Sequence, residues 1–209
     1  CTPTLYYPDG DGDGFGLPGS EAIASCEALG DGFADNDLDC DDTDIALHPE
    51  TVWYPDGDAD GYGAAEPEGP LGCTPPSAMH MLDNTDCDDT KPEINPETLW
   101  YPDADSDTYG DADDPGTTQC EAPSDTHTLD NTDCEDGEAA INPASVWYPD
   151  ADTDTYGDMS DPGTTQCEPP TDTHTLDNTD CEDGEATINP ASVWYPDSDA
   201  DTYGDADDP

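Results

Sequence analysis

Apolar side chains are sparse along the chain and gather in short clusters at even intervals. Four triplets, Val52-Trp53-Tyr54, Leu99-Trp100-Tyr101, Val146-Trp147-Tyr148 and Val193-Trp194-Tyr195, each run into a proline. Their residue types suit a strand, and proline, which has no backbone donor, stops each one. The pattern predicts short strands and little else that is regular. After each second cysteine of a pair there is room for one helical turn, as at Glu185-Ala186-Thr187-Ile188, which ends before Pro190. Segments such as Pro162-Gly163-Thr164-Thr165 read as turns. No apolar run approaches the ~20 residues of a membrane span.

The clusters mark a tandem array. Trp53, Trp100, Trp147 and Trp194 stand 47 residues apart, and Tyr6 holds the same place one period earlier. Cys26, Cys73, Cys120 and Cys167 keep this period, as do Cys40, Cys87, Cys134 and Cys181. After a lead-in at 1–5, the repeats are 6–52, 53–99, 100–146 and 147–193, with a partial fifth at 194–209. Each offers a Trp or its equivalent, Tyr and a few aliphatics to bury. That is too little for a core of this length, and small scaffolds of this kind need metals or disulfides. The fold expected is a linear array of 47-residue repeats, low in regular structure and stapled by calcium and disulfides.

Charge sharpens the reading. The chain carries 55 Asp plus Glu against one Lys plus Arg, a formal net charge of -54. Such a polyanion repels nucleic acid and anionic membrane surfaces, which excludes both as partners. High charge with only 32% apolar residues is also the composition of disordered or halophilic chains. Neither explains why the acids keep a D-x-D-x-D register after an aromatic pair and a proline.

That register suits a loop folded around a cation. Calcium takes six to eight oxygens, and positions 1, 3 and 5 of a calcium loop give carboxylates while position 7 gives a carbonyl. The candidate ligands are Asp9, Asp11, Asp13 and Phe15; Asp56, Asp58, Asp60 and Tyr62; Asp103, Asp105, Asp107 and Tyr109; Asp150, Asp152, Asp154 and Tyr156; and Asp197, Asp199, Asp201 and Tyr203. The glycine after position 7, Gly63 in the second repeat, suggests a need for backbone freedom. An EF-hand is excluded, because position 12 is Ser20 or Pro67 rather than Glu and the flanks are not helical. The remaining ligands must come from the acids beside the second cysteine. These are Asp39 and Asp42, Asp86 and Asp89, Asp133 and Asp136, and Asp180 and Asp183. The position between them, Asp41 and Asp88, becomes Glu135 and Glu182, so it ranks as a weaker ligand.

The series D-x-D-G-D-G-[YF]-G, cysteine, then D-C-D-D resembles the metal-binding repeat of MopE-type bacterial surface proteins. It is also similar in style to thrombospondin type 3 repeats. Residues 9–16 and 39–42 carry the likeness best, and it extends over the whole chain. It implies secreted or surface-attached proteins that bind calcium with little regular structure. Thr108 and Thr155 depart from it where Gly is usual, which implies weaker affinity or an altered turn there.

Regular cysteines without C-x-x-C point to disulfides and an oxidising, extracellular setting rather than to zinc. Pairing of the Cys26–Cys40 type leaves only Cys1 over, whereas pairing of the Cys40–Cys73 type leaves three, so the first is preferred. On that preference Cys26, Cys40, Cys73, Cys87, Cys120, Cys134, Cys167 and Cys181 are all half-cystines. Cys1 would bond elsewhere or carry a lipid. The fifth loop lacks its cysteines, so a longer parent chain is expected past Pro209.

Other features read as packing. His80, His127 and His174 share a period with Phe33, which no metal ligand position would accept. His48 aligns with Asn95, Asn142 and Asn189 and reads as a turn residue. The Trp-Tyr pairs read as the main core rather than a sugar-binding ladder. A periodic chain builds no single cleft and has no G-x-S-x-G, H-E-x-x-H or P-loop, so an enzyme is not expected. The function expected is an extracellular calcium-binding stalk or fibre that self-associates or belongs to a larger chain. The alternative is adhesion, or metal or mineral binding, through the same acids.

Overall fold

The computed structural model describes residues 1–67, 69–198, 200 and 202–204. Among these no helix forms. The chain makes eleven short strands: β1 (Thr4–Pro8), β2 (Ile23–Ser25), β3 (Phe33–Ala34), β4 (Tyr54–Pro55), β5 (His80–Met81), β6 (Leu99–Pro102), β7 (Thr117–Thr118), β8 (His127–Thr128), β9 (Val146–Pro149), β10 (Thr164–Thr165) and β11 (His174–Thr175). They form three three-stranded sheets, ordered β2-β1-β3, β7-β6-β8 and β10-β9-β11, and the pair β4-β5. In every three-stranded sheet the aromatic strand is central and its two partners follow it in sequence.

The chain forms two compact bodies, Cys1–Leu99 with Thr118–Glu121, and Trp100–Thr117 with Ala122–Pro209. Within the first, β1 pairs antiparallel with β2 through Tyr6↔Ile23 and with β3 through Pro8↔Phe33. Within the second, β9 pairs antiparallel with β10 through Thr164↔Trp147 and with β11 through His174↔Pro149. The proline does not precede the end of pairing, as expected from its missing N–H, but is itself the last paired residue. Its carbonyl stays available: Pro8 O accepts from Leu17 N at 2.8 Å and Pro149 O from Asp158 N at 2.9 Å.

Two expected strands differ. Val52 makes only an isolated bridge with Leu71, and pairing resumes at Tyr54. Val193-Trp194-Tyr195 is not a strand and lies exposed, with Trp194 at 73% against 7% for Trp147. The expected helical turn at 185–188 is also absent. Glu185 N bonds to Glu182 O and Ile188 N to Glu185 O, which makes successive tight turns instead. Pro190 cuts off propagation, and nucleating a helix for one turn is unfavourable.

Apolar packing is slight. Among the described residues the buried apolar side chains are Ala34, Trp53 and Trp147, so two of the tryptophans do serve as core. Their indole N–H groups find carbonyls, Trp53 Nε1 on Gly72 O at 2.7 Å and Trp147 Nε1 on Gln166 O at 2.9 Å. Buried hydroxyls brace the turn ahead of each aromatic strand. Thr51 Oγ1 accepts from His48 N at 2.8 Å and donates to Ala46 O at 2.7 Å. Thr98 and Ser145 repeat this pair of bonds.

The disulfides correct the preferred pairing. Cys1 bonds to Cys26, Cys40 to Cys73, Cys87 to Cys120 and Cys134 to Cys167, and Cys181 is free and exposed. The counting that favoured Cys26–Cys40 overlooked that Cys1 takes Cys26, which leaves only one cysteine over. Cys1 reaches Cys26 because β1 and β2 run side by side, with Thr4 opposite Ser25.

Two measurements check this architecture. Non-reducing peptide mapping is expected to recover the Cys40–Cys73 and Cys134–Cys167 linked pairs; a Cys26–Cys40 peptide would overturn the assignment. Replacing Thr51 by Val keeps the volume but strands His48 N and Ala46 O, and is expected to cost about 1–3 kcal/mol in thermal stability.

Candidate metal centre

Each Asp-rich loop leaves its strand at the proline, and the backbone then alternates. Positions 1, 3, 5 and 7 turn inward while positions 2, 4 and 6 stay exposed, as in Asp56 to Tyr62. The alternation comes from left-handed residues at positions 4 and 6. Gly12 and Gly14 take φ of 82° and 92°, and Ala59 and Gly61 take 69° and 98°. Ser106 and Thr108, then Thr153 and Thr155, adopt the same region, at 67° and 84° and at 63° and 82°. The expectation that Thr alters the turn is therefore corrected. The turn is kept, and a β-branched residue is held in a conformation it rarely takes.

The first aspartate shapes the loop. Asp9 Oδ1 accepts from Gly12 N at 2.7 Å and its Oδ2 from Gly14 N at 3.2 Å. Asp56, Asp103 and Asp150 likewise spend both oxygens on backbone N–H groups of their own loops. The next two act differently. Asp11 Oδ1 accepts from Asp13 N and Asp13 Oδ1 from Phe15 N, which leaves each Oδ2 buried and without a partner. Asp58 and Asp60 repeat this, with Oδ1 bonded two residues on and Oδ2 unpartnered. In all four loops one carboxylate oxygen from each of the three aspartates lies within 4.8 Å of the other two.

A fourth aspartate approaches from far along the chain, near enough for Asp13 and Asp11 to act on the carboxyl of Asp39 and for Asp60 and Asp58 to act on that of Asp86. Asp39 N donates to Gly16 O, Asp86 N to Gly63 O, Asp133 N to Gly110 O and Asp180 N to Gly157 O, at 2.9–3.1 Å. This explains the glycine after position 7. Its value is closeness rather than the backbone freedom expected: a Cβ on Gly157 would sit 2.5 Å from Asp177 O and 2.8 Å from Tyr148 Cβ. Asp39, Asp86, Asp133 and Asp180 each keep Oδ2 buried and unpartnered, and Asp133 and Asp180 are only 1% exposed.

Other predicted ligands are occupied otherwise. Asp42 Oδ1 accepts from Gly10 N at 2.7 Å, and Asp89, Asp136 and Asp183 accept from Gly57, Ala104 and Ala151. They latch position 2 of the loop, a role the spacing alone did not reveal. Asp88 pairs with Lys91 at 2.6 Å, and this pairing chiefly holds its carboxyl below the ordinary range. Asn142 and Asn189 went unnoticed as site residues. Their Nδ2 atoms donate to Asp107 Oδ2 at 2.8 Å and to Asp154 Oδ2 at 2.6 Å. The spacing alone could not reveal them, since Asn95 also follows the third aspartate, Asp60, by 35 residues and leaves its Oδ2 without a donor. In the fifth loop Asp199 and Asp201 lie outside the described residues, and Thr202 N donates to Asp197 Oδ2 at 3.0 Å.

The histidines bond to hydroxyls rather than to this cluster. His80, His127 and His174 share Nδ1 with Ser77, Ser124 and Thr171. His48 stacks on Phe15, with ring centroids 5.2 Å apart.

Burial raises the carboxyls of Asp39, Asp58, Asp86, Asp105 and Asp152 above the ordinary range. Neighbouring carboxylates push the same way, Asp13 and Asp11 on Asp39 and Asp60 and Asp58 on Asp86, while backbone N–H bonds oppose it. The all-oxygen donor set, free of sulfur and imidazole, fits a hard divalent cation. Comparison with protein-family models, with curated proteins and with solved structures finds no match for the chain.

The raised carboxyls fix a sign for the metal-free protein. Its folded form holds protons more tightly than the unfolded chain does, so stability is lost as pH rises through the raised values. Acidifying the protein in chelator from pH 7 toward the ordinary carboxylate range is expected to make it more compact, as dynamic light scattering would show. Expansion over that range would contradict the assignment.

Proposed function

We propose that the chain is an extracellular structural protein, a stalk or fibre whose 47-residue repeats are each closed by calcium. One observation carries the reading. In each of the first four repeats, carboxylate oxygens of the loop and of the distal aspartate are buried without a donor. Burying such groups unpaired is expensive, and a cation shared among them is the simple remedy. Calcium needs six to eight oxygens. The three loop aspartates, the carbonyl at position 7 and the distal aspartate would supply most of these, with water completing the shell.

The setting supports the same reading. Four disulfides fit an oxidising compartment. Among the described residues no helix is long and apolar enough to cross a membrane. Repetition without insertion is the habit of chains that build extended objects. The likeness to MopE-type and thrombospondin type 3 repeats points the same way.

Scattering and circular dichroism with and without chelator test the proposal. Calcium at about 10⁻⁴–10⁻³ M, the usual range for extracellular modules, is expected to compact the chain and fill close to one site per repeat. Asp133→Asn is expected to remove one ion from that stoichiometry. Dimensions that do not change on calcium removal would overturn the reading, and a large surplus of weak sites would favour the mineral-binding alternative.

A further inference from the structure

We infer that the loops form two affinity classes, with those at Asp9–Phe15 and Asp56–Tyr62 filling before those at Asp103–Tyr109 and Asp150–Tyr156. Asn142 and Asn189 help to set the difference. The inference rests on the calcium reading and deepens it.

The loops differ in one oxygen. In the first two repeats the third aspartate, Asp13 or Asp60, keeps Oδ2 buried and unpartnered. In the next two, the same oxygen of Asp107 or Asp154 already accepts an amide N–H from Asn142 or Asn189. The first repeat therefore buries three carboxylate oxygens without donors, on Asp11, Asp13 and Asp39, and the second buries three on Asp58, Asp60 and Asp86. The third repeat buries two, on Asp105 and Asp133, and the fourth two, on Asp152 and Asp180. In the first repeat His48 stands in place of the amide and stacks on Phe15. In the second, Asn95 keeps only the bond to the carbonyl three residues back, Pro92 O, which Asn142 and Asn189 also make to Ala139 O and Ala186 O, and Asp60 Oδ2 stays without a donor.

Cation binding is measured against the metal-free state. An inward oxygen without a donor makes that state costly, and an arriving ion recovers the cost. An oxygen that already holds an amide proton has less to recover and must share its lone pairs. Formal charge does not separate the classes, because each site has three loop aspartates and one distal aspartate. A second difference acts independently. Position 6 is left-handed in all four loops, but it is Gly14 and Gly61 in the early pair and Thr108 and Thr155 in the later pair. Ordering the loop around an ion costs more with threonine there. Both differences weaken the later sites.

Calcium titration of the full oxidised chain, by calorimetry and by tyrosine and tryptophan fluorescence, tests the inference. Every protein compared carries Asp197→Asn, so that the fifth loop adds no phase. Two phases separated on the order of tenfold are expected. Asp11→Asn with Asp58→Asn should delete the tight phase, and Asp105→Asn with Asp152→Asn the weak one. Asn142→Ala with Asn189→Ala should draw the weak phase toward the tight one. If those two variants lose their fold by circular dichroism, the aspartate variants still decide the order of filling. A single phase, the reverse order, or weaker binding after loss of the asparagines would overturn the inference while leaving calcium binding intact. Failure to bind calcium at all would instead remove the reading beneath it.

Discussion

Carboxylate oxygens turned inward without donors set the terms for the rest of this chain. Their cost exceeds what apolar packing here can offset. Among the described residues the buried apolar side chains are one alanine and two tryptophans, against a charge of -54. The largest fully buried side chains are themselves aspartates, Asp56, Asp133 and Asp180. An ordinary domain places Leu and Phe at such positions. Here the interior of each repeat is a nest of acids, and the backbone spends its free N–H groups on orienting them. The first aspartate of each loop spends both oxygens on backbone N–H groups, whereas the distal one has one oxygen fixed by a bond two residues along and the other buried without a donor.

Much of that site was legible in the sequence because its geometry is local. Alternate acids such as Asp56, Asp58 and Asp60 announce a loop with one inward face, and the loop has that form. The acids beside the second cysteine were found as a group, but their division of labour was not. Asp39 enters the cluster while Asp42 latches the backbone at Gly10, and only the path of the chain between them separates these roles. The left-handed threonines were read as departures, although the side chain bends to the loop rather than the reverse. Strand positions followed the aromatic triplets at Leu99-Trp100-Tyr101 and Val146-Trp147-Tyr148, in part at Val52-Trp53-Tyr54, and not at Val193-Trp194-Tyr195. The helical turn was misread because a 3.6-residue pattern four residues long carries almost no information. The disulfides were misread because pairing is a matter of spatial neighbours, and Cys1 sits beside Cys26 only once β1 and β2 align.

Covalent and ionic links divide the work by distance. In the proposed reading the cation ties a loop to an aspartate of the same repeat, as Asp9–Asp13 to Asp39. The disulfide then joins that repeat's second cysteine to the first cysteine of the next, as Cys40 to Cys73. Neither link repeats what the other does. Only Cys181 stands outside the scheme among the described cysteines.

This staggered bonding governs what a protease can achieve. A cut anywhere between Cys40 and Cys73, or between Cys134 and Cys167, leaves the two halves bolted together by sulfur. Severance by one cut within the first four repeats requires the stretches 26–40, 73–87 or 120–134, or the run beyond Cys167. The first three of these carry β3, β5 and β8 and end just past an aspartate with a buried, donorless oxygen. Erosion of such a polymer in a protease-rich medium would thus be decided in those windows, and a nicked molecule would keep its length elsewhere.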